Sequence, residues 1–449
     1  MKRAGAPRTL RYHRVPEFWT KIEKLEWLAE QTLASVPWHV LEPDDRHNWL
    51  TDKLQPDYAA LLPLGSKEAK AGGDVGTIFS NYGRGIATSR DDWAYGFDRA
   101  QLATRMQRFI EFYNAEVDRW QRHTDRTAGV DGFVRYDDTQ LKWSRDLKLD
   151  LQRGNRAVFD PTKIRRTLYR PFTSRFLFFD RVLNEEVYQQ PKMIPNAQSE
   201  AENIVIIVAG VGADHQTFHC ANAIVDVKYG INGNSTVQCF PLYTYDEDGS
   251  NRRENITAWA LAQFQAVYGS AVTRQQIFAY VYAMLHHPQY RTRYAENLKR
   301  ELPRVPLVPA REWPAYVGAG QQLLDLHLGY ETAREHPLRW IENRDVPFSW
   351  RVARMRLSAD KTQLVVNPSL TLADIPPAVY DYRLGNRSAL EWIIDQYQVS
   401  TDRRSGIVSD PNRADDEAYI VRLVGRVVTV SLDTQRIIGE LPALASAAA

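Results

Sequence analysis

Four groups of residues in this sequence stand at spacings that chemistry uses, and each has a plainer reading beside it. Gly210-Val211-Gly212 follows an apolar run at 204–208, which is how a strand–glycine–helix cofactor loop begins. Such a loop needs a helix next, with its N-terminus facing the ligand. Residues 215–228 alternate like a strand instead, so a glycine turn between strands is expected. Pro56-Asp57 with Glu68-Ala69-Lys70 fits the loose PD…ExK pattern of metal-dependent nucleases. Two carboxylates that share a Mg²⁺ ion must sit on adjacent strands, and the intervening Leu-Leu-Pro-Leu-Gly is poor hairpin material. Asp214, His215, His219 and Cys220 contain a His pair at i, i+4, which holds zinc when a helix presents it. The local pattern is β and no second ligand pair is spaced to match, so core or surface histidines are expected. His286-His287 closes an apolar stretch before Pro288, where polar side chains complement the last carbonyls of a helix.

Other catalytic motifs are missing from the sequence. There is no GxxxxGK[ST] phosphate loop for a nucleotide-driven motor. There is no Asn/Asp/Ser-Pro-Pro-aromatic tetrapeptide, which amino-methyltransferases use to hold a flipped base. Asn367-Pro368-Ser369-Leu370 comes nearest and fails. No catalytic residue, cofactor ligand or metal ligand is therefore assigned. The composition, 44% hydrophobic and 25% charged, is that of an ordinary globular protein, and the length suits roughly two to four domains. The formal net charge is only +2, so a surface for a polyanion must be a local patch. Cys220 and Cys239 are the only cysteines; they exclude a disulfide framework and point to a reducing cytoplasm. The basic first fourteen residues lack the apolar core of a signal peptide. No apolar run approaches the roughly 18 residues of a membrane span.

The elements that would position functional groups follow from periodicity. Residues 17–33 and 101–122 carry apolar stripes at helical spacing, the second through Leu102, Met106, Phe109, Ile110, Tyr113 and Val117. Residues 60–80, with Pro63, Gly65, Gly72, Gly73 and Gly76, read as a linker or seam. Short β-like runs lie at 167–169, 175–180, 203–208, 223–228 and 236–243. Helices return at 273–286, 289–300, 312–335 and 390–399, with strands at 346–366. Trp392, Ile393 and Tyr397 are expected in the core.

Charge is unevenly spread over this frame. Residues 84–175 hold 19 Lys/Arg against 13 Asp/Glu. Within them Arg165, Arg166, Arg170 and Arg175 interleave with Tyr169, Phe172 and Phe176. The planar arginine fork suits phosphate or the acceptor edge of guanine, although basic faces are more often simply solvated. A second basic cluster is Arg291, Arg293, Lys299, Arg300 and Arg304. Lys228 and the loop containing Asn232 and Asn234 link two β-like runs; such asparagines read adenine edges or form turns.

Several blocks, taken in order, resemble the C-terminal specificity region of type ISP restriction–modification enzymes. They are GSKEAK at 65–70, GIATSRDDWAY at 85–95, YRPF at 169–172, FHC at 218–220, YVYAMLH at 280–286, PRVP at 303–306 and YRLGNRSALEWIIDQY at 382–397. The resemblance implies an α+β fold in three parts. Residues 1–76 would be the end of a methyltransferase-like region and a linker, 77–255 a β-rich DNA target-recognition subdomain, and 256–440 a helical or mixed specificity subdomain. A full enzyme of this kind joins a nuclease, an ATP-driven translocase, a coupler and an N6-adenine methyltransferase to its recognition domain. The motifs of those parts are missing here, so only the recognition role carries over. S-adenosylmethionine, ATP and Mg²⁺ are expected only for the missing catalytic domains. The resemblance also places the Glu68-Ala69-Lys70 string at the methyltransferase–recognition seam, not in a nuclease.

The expected function is then sequence-specific recognition of duplex DNA. Phosphate contacts would set the register and base-edge contacts the specificity, while a partner methyltransferase flips the target adenine. Arg165, Arg166, Arg170, Arg175, Lys228, Asn232 and Asn234 are the candidate contacts. The expected partners are double-stranded DNA and the methyltransferase and helicase–nuclease domains, with no membrane. Residues 10–60 are expected to carry an apolar docking face. Two alternatives stay open: a subunit of a methyltransferase or nuclease whose catalytic part is on another chain, and a structural subunit that binds no DNA.

Overall fold

The computed structural model describes residues 9–444 except 17, 18, 44–46, 48, 50, 52, 53, 74 and 232. The chain divides into two compact units between residues 56 and 57. In the smaller one, strand Leu10–Tyr12 pairs antiparallel with His39–Leu41. Its helix, Lys21–Glu30, starts late relative to the apolar period because a reciprocal cap fixes the start. Thr20 N donates to Glu23 Oε2 at 2.6 Å and Glu23 N donates to Thr20 Oγ1 at 3.3 Å. No residue of this helix is buried, and Ile22, Leu25 and Leu28 are exposed.

The larger unit shows the expected α+β class, built on three four-stranded sheets. The first runs Tyr95–Gly96, Thr173–Phe178, Ile164–Arg170, Ile224–Val225 in spatial order, the last pair parallel. The second runs Gly83–Arg84, Val237–Pro241, Val205–Ala209, Phe218–Ala221, all antiparallel. The third joins Arg339–Glu342, Leu370–Ala373, Leu364–Asn367 and Arg356–Leu357. Alternate side chains of a strand point to opposite faces, and both faces of the second sheet are covered. Val205 and Ile207 enter one apolar cluster, Ile206 and Val208 another. That double burial is why 204–208 is an unbroken apolar run.

Helices pack around these sheets. Arg99–Arg122 begins at Asp98, whose Oδ1 accepts from Gln101 N at 2.7 Å, and it buries the stripe read from sequence together with Trp120. Arg274–His286 is buried at every position from Ile277 to His286 and packs along Trp313–Leu328. Residues 289–300 form two short helices, Pro288–Arg293 and Ala295–Arg300, not one. A long helix that the sequence did not announce, Tyr419–Gly439, runs through the core. The expected border at 255/256 crosses a shared core: Ile206 and Phe240 belong to the same apolar cluster as Phe278 and Tyr316.

Candidate nucleic-acid interface

The arginines singled out from sequence are largely committed to protein partners. Arg165 Nε donates to Glu200 Oε1 at 2.7 Å and Nη1 donates to Pro195 O at 2.8 Å, with a tenth of the side chain exposed. Arg170 Nη1 lies 2.6 Å from Asp226 Oδ1. Asp226 also accepts from Tyr95 Oη at 2.8 Å and from Lys228 N at 2.7 Å. Burial pushes the Asp226 carboxyl up to about 6, and the Arg170 charge opposes that rise. The Arg175 guanidinium lies over Phe97 and Tyr169, 4.4 and 4.2 Å from the ring centroids. Arg166 faces outward, 3.1 Å from Glu331. Lys228 Nζ closes its own loop by donating to Gly233 O at 2.7 Å and Ser235 O at 2.8 Å. Asn234 is exposed on that loop, and Asn232 lies outside the described residues. The inward arginines answer to Glu200 and Asp226, carboxylates 35 and 56 residues away in sequence.

The other sequence candidates also find structural places. Gly210-Val211-Gly212 turns between two strands, with Gly210 N donating to Thr236 O and Gly212 N to Lys299 O, both at 2.7 Å. Asp57 pairs with Arg293 at 2.7 Å, while Glu68 sits on the one-turn helix Lys67–Lys70. His219 is buried, 2.8 Å from Tyr229 Oη and stacked on His327 at 4.9 Å. Burial drives His219 down to about 3 and His286 to about 4. His287 caps the next helix, accepting from Gln289 N at 3.1 Å. Among the described residues no group of three or more His, Cys, Asp or Glu is arranged to hold a metal ion.

A different surface gathers basic groups around an opening. A groove of about 840 Å³ opens at one end of the second sheet. One wall is the Lys67–Lys70 helix, capped by Ser66 Oγ accepting from Ala69 N at 3.0 Å. Another is the 300–304 segment, where Arg304 Nε donates to Glu301 at 3.1 Å and Nη1 to Ala59 O at 3.1 Å. Lys67, Lys70, Arg84, Arg300 and Arg304 face the groove against Glu68 and Glu301, so its balance is positive.

The floor is set by strand register. Gln238 pairs directly with Arg84, and Cys239 with Gly83. Val237 and Cys239 turn into one core and Phe240 into the other, so Gln238 shares the face of Phe240 where that face runs out into the groove. Gly83 admits Gln189: a Cβ there would lie 2.7 Å from Gln189 Cβ. Tyr188 holds a left-handed backbone, φ 46°, uncommon for a bulky residue. Its ring lies 5.6 Å from the Arg84 guanidinium carbon. Two residues on, Gln190 is buried and donates to Arg84 O at 3.1 Å. Among the described residues the side chains of Arg84, Gln189 and Gln238 make no hydrogen bond or ion pair.

Sequence reading marked Arg300, Arg304 and the 65–70 block without joining them, and it missed Arg84, Gln189 and Gln238. A shallower basic depression of about 400 Å³ contains Arg354, Lys361 and Arg387. Of these, Lys361 and Arg387 are paired with Glu391 and Asp395 at 2.8 and 2.7 Å.

An α+β domain with an open, positively charged groove at a sheet end has the form of a recognition module for a polyanion. Residues 77–423 match the Type ISP C-terminal specificity domain, and the chain belongs to that family. Among solved structures it is similar to a nuclease-deletion mutant of the Type ISP restriction-modification enzyme LlaGI in complex with a DNA substrate mimic, at 32% identity and TM-score 0.84 over 98% of this chain. It is similar to a DrdV–DNA complex at 31% identity and TM-score 0.85, again over 98%. It also resembles the ATP-dependent Type ISP enzyme LlaBIII bound to DNA, at 26% identity and TM-score 0.79 over 91%. The chain spans 40%, 44% and 26% of those three chains. No curated protein sequence matches it.

Proposed function

We propose that this chain is a DNA target-recognition module of a type ISP-like restriction–modification system. It grips duplex DNA at the basic groove and reads a short site. Adenine-N6 methylation and restriction then belong to catalytic domains outside this chain, which would use S-adenosylmethionine, ATP and Mg²⁺; the module itself carries no catalytic group. The supporting observation is its likeness over 98% of its length to two structures solved with DNA, joined to a groove where, among the described residues, Arg84 and Lys67 stand in no ion pair. Its partners are double-stranded DNA and those catalytic domains, and its place is the cytoplasm. No helix among the described residues is long and apolar enough to cross a membrane.

The test is duplex binding by fluorescence anisotropy across a salt series. Each neutralised phosphate contributes a slope of about −0.9 in log K against log salt. Lys67, Lys70 and Arg84 predict a slope of roughly −3, and Lys67→Ala should remove about one unit. Binding that ignores salt, or no binding by folded protein, would contradict the proposal.

A further inference from the structure

We infer that Arg84 and Gln238 form the base-reading pair of the groove, Arg84 toward guanine and Gln238 toward adenine, with Tyr188 as the positioning residue that aims Arg84. The inference rests on the DNA-recognition reading above and names the part of that site that sets specificity.

Register supplies the first argument. Arg84 and Gln238 are direct partners on neighbouring antiparallel strands, so their side chains leave the same face with Cβ atoms about 4.5–5.5 Å apart. Base pairs stack about 3.4 Å apart. Two long side chains rooted at that separation reach one base pair or two adjacent ones.

Hydrogen-bonding capacity supplies the second. Arg165 and Arg170 spend their donors inside the protein. Beneath Arg84, the buried Gln190 uses its amide on Arg84 O and Val225 N. Arg84 and Gln238 are half-buried to exposed and have no such partners among the described residues. An arginine fork fits guanine O6/N7 and a glutamine amide fits adenine N6/N7, each with two bonds.

Rigidity supplies the third. Both residues sit on strands, which hold a reading side chain more firmly than a loop does. Tyr188 keeps an unfavourable left-handed φ of 46° while its ring stands against the Arg84 guanidinium. Such strain persists where the surroundings fix it, often at a binding site.

The experiment is selection from a randomised duplex library by the full chain and by four variants: Arg84→Ala, Arg84→Lys, Gln238→Ala and Tyr188→Leu. Wild type should enrich a motif containing a guanine and a nearby adenine. Arg84→Ala should lose the guanine preference and bind the selected site roughly tenfold to hundredfold more weakly. Arg84→Lys keeps the charge without the fork, so it should keep the salt slope and still lose the guanine. Gln238→Ala should relax only the adenine position. Tyr188→Leu should blur the guanine position at an unchanged salt slope. A wild-type motif that survives intact in Arg84→Lys and Gln238→Ala would overturn the pair and leave DNA recognition standing. No motif from wild type would overturn both.

Discussion

Replacing Arg170 by alanine separates the two roles that arginine can have in this domain. In the structure Arg170 and Asp226 form an ion pair of 2.6 Å with side chains 15% and 3% exposed. Alanine leaves a buried carboxylate without its counter-charge. Removing one partner of a buried pair costs about 3–5 kcal/mol. Asp226 would still accept from Tyr95 Oη and Lys228 N, which places the loss near the lower end, about 3 kcal/mol. The pH dependence follows from the same carboxyl. Burial already raises Asp226 from 3.8 to about 6 in the folded protein, and losing Arg170 raises it further. A carboxyl raised on folding binds its proton more readily in the folded state, so its penalty grows as pH rises through that window. The deficit of Arg170→Ala should therefore be largest near pH 8 and shrink toward pH 5. The double variant Arg170→Ala/Asp226→Asn should recover most of it. Urea unfolding followed by tryptophan fluorescence measures the deficit as a lowered midpoint at unchanged slope. A deficit below about 1 kcal/mol, together with a tenfold loss of duplex affinity, would refute the structural role and restore Arg170 as a DNA contact.

Three further outcomes follow from buried groups. Arg90 is fully buried and donates to Leu183 O, Ser144 Oγ and, at 3.3 Å, Lys142 O. Arg90→Met should cost about 3–5 kcal/mol in urea unfolding, whereas the exposed Arg145 should tolerate alanine with little change. His219, His286 and His327 have folded pKa values lowered by burial, the first two to about 3 and about 4. Their stabilising contribution is complete above about 6.5, and it is lost as pH falls toward the folded values, because only the unfolded chain takes up those protons. Each contributes up to about 1.4 kcal/mol per pH unit; Asp226 opposes with one proton, so stability should fall between pH 6 and 4 with a net uptake of about two protons. A flat or rising profile would contradict this. Cys220 and Cys239 are buried thiols that burial raises to about 12. They should resist a thiol reagent in folded protein and react only on unfolding.

Regular amphipathic or doubly buried elements were legible in the sequence. The stripe from Leu102 to Val117 announced its helix, and the apolar run at 204–208 announced a buried strand. Tyr419–Gly439 was not announced. Buried residues surround it on most sides, and its β-branched Val421, Val424, Val427, Val428 and Val430 blur the helical period. The basic clusters were visible as composition, but composition cannot show that Glu200 and Asp226 fold back to neutralise Arg165 and Arg170. The groove was illegible for the opposite reason. Arg84, Tyr188, Gln238 and Arg300 are single residues on distant segments that only the second sheet and its flanking turns bring together. The GSKEAK block at 65–70 read as a seam and turned out to be a wall of that groove.

The most direct test of DNA target recognition is selection of the purified chain against a randomised duplex library at two salt concentrations, with the bound fraction sequenced. The account predicts enrichment of one short motif at both salts and binding that weakens steeply as salt rises. Folded protein that binds no duplex, or binds without enriching any motif, would contradict it.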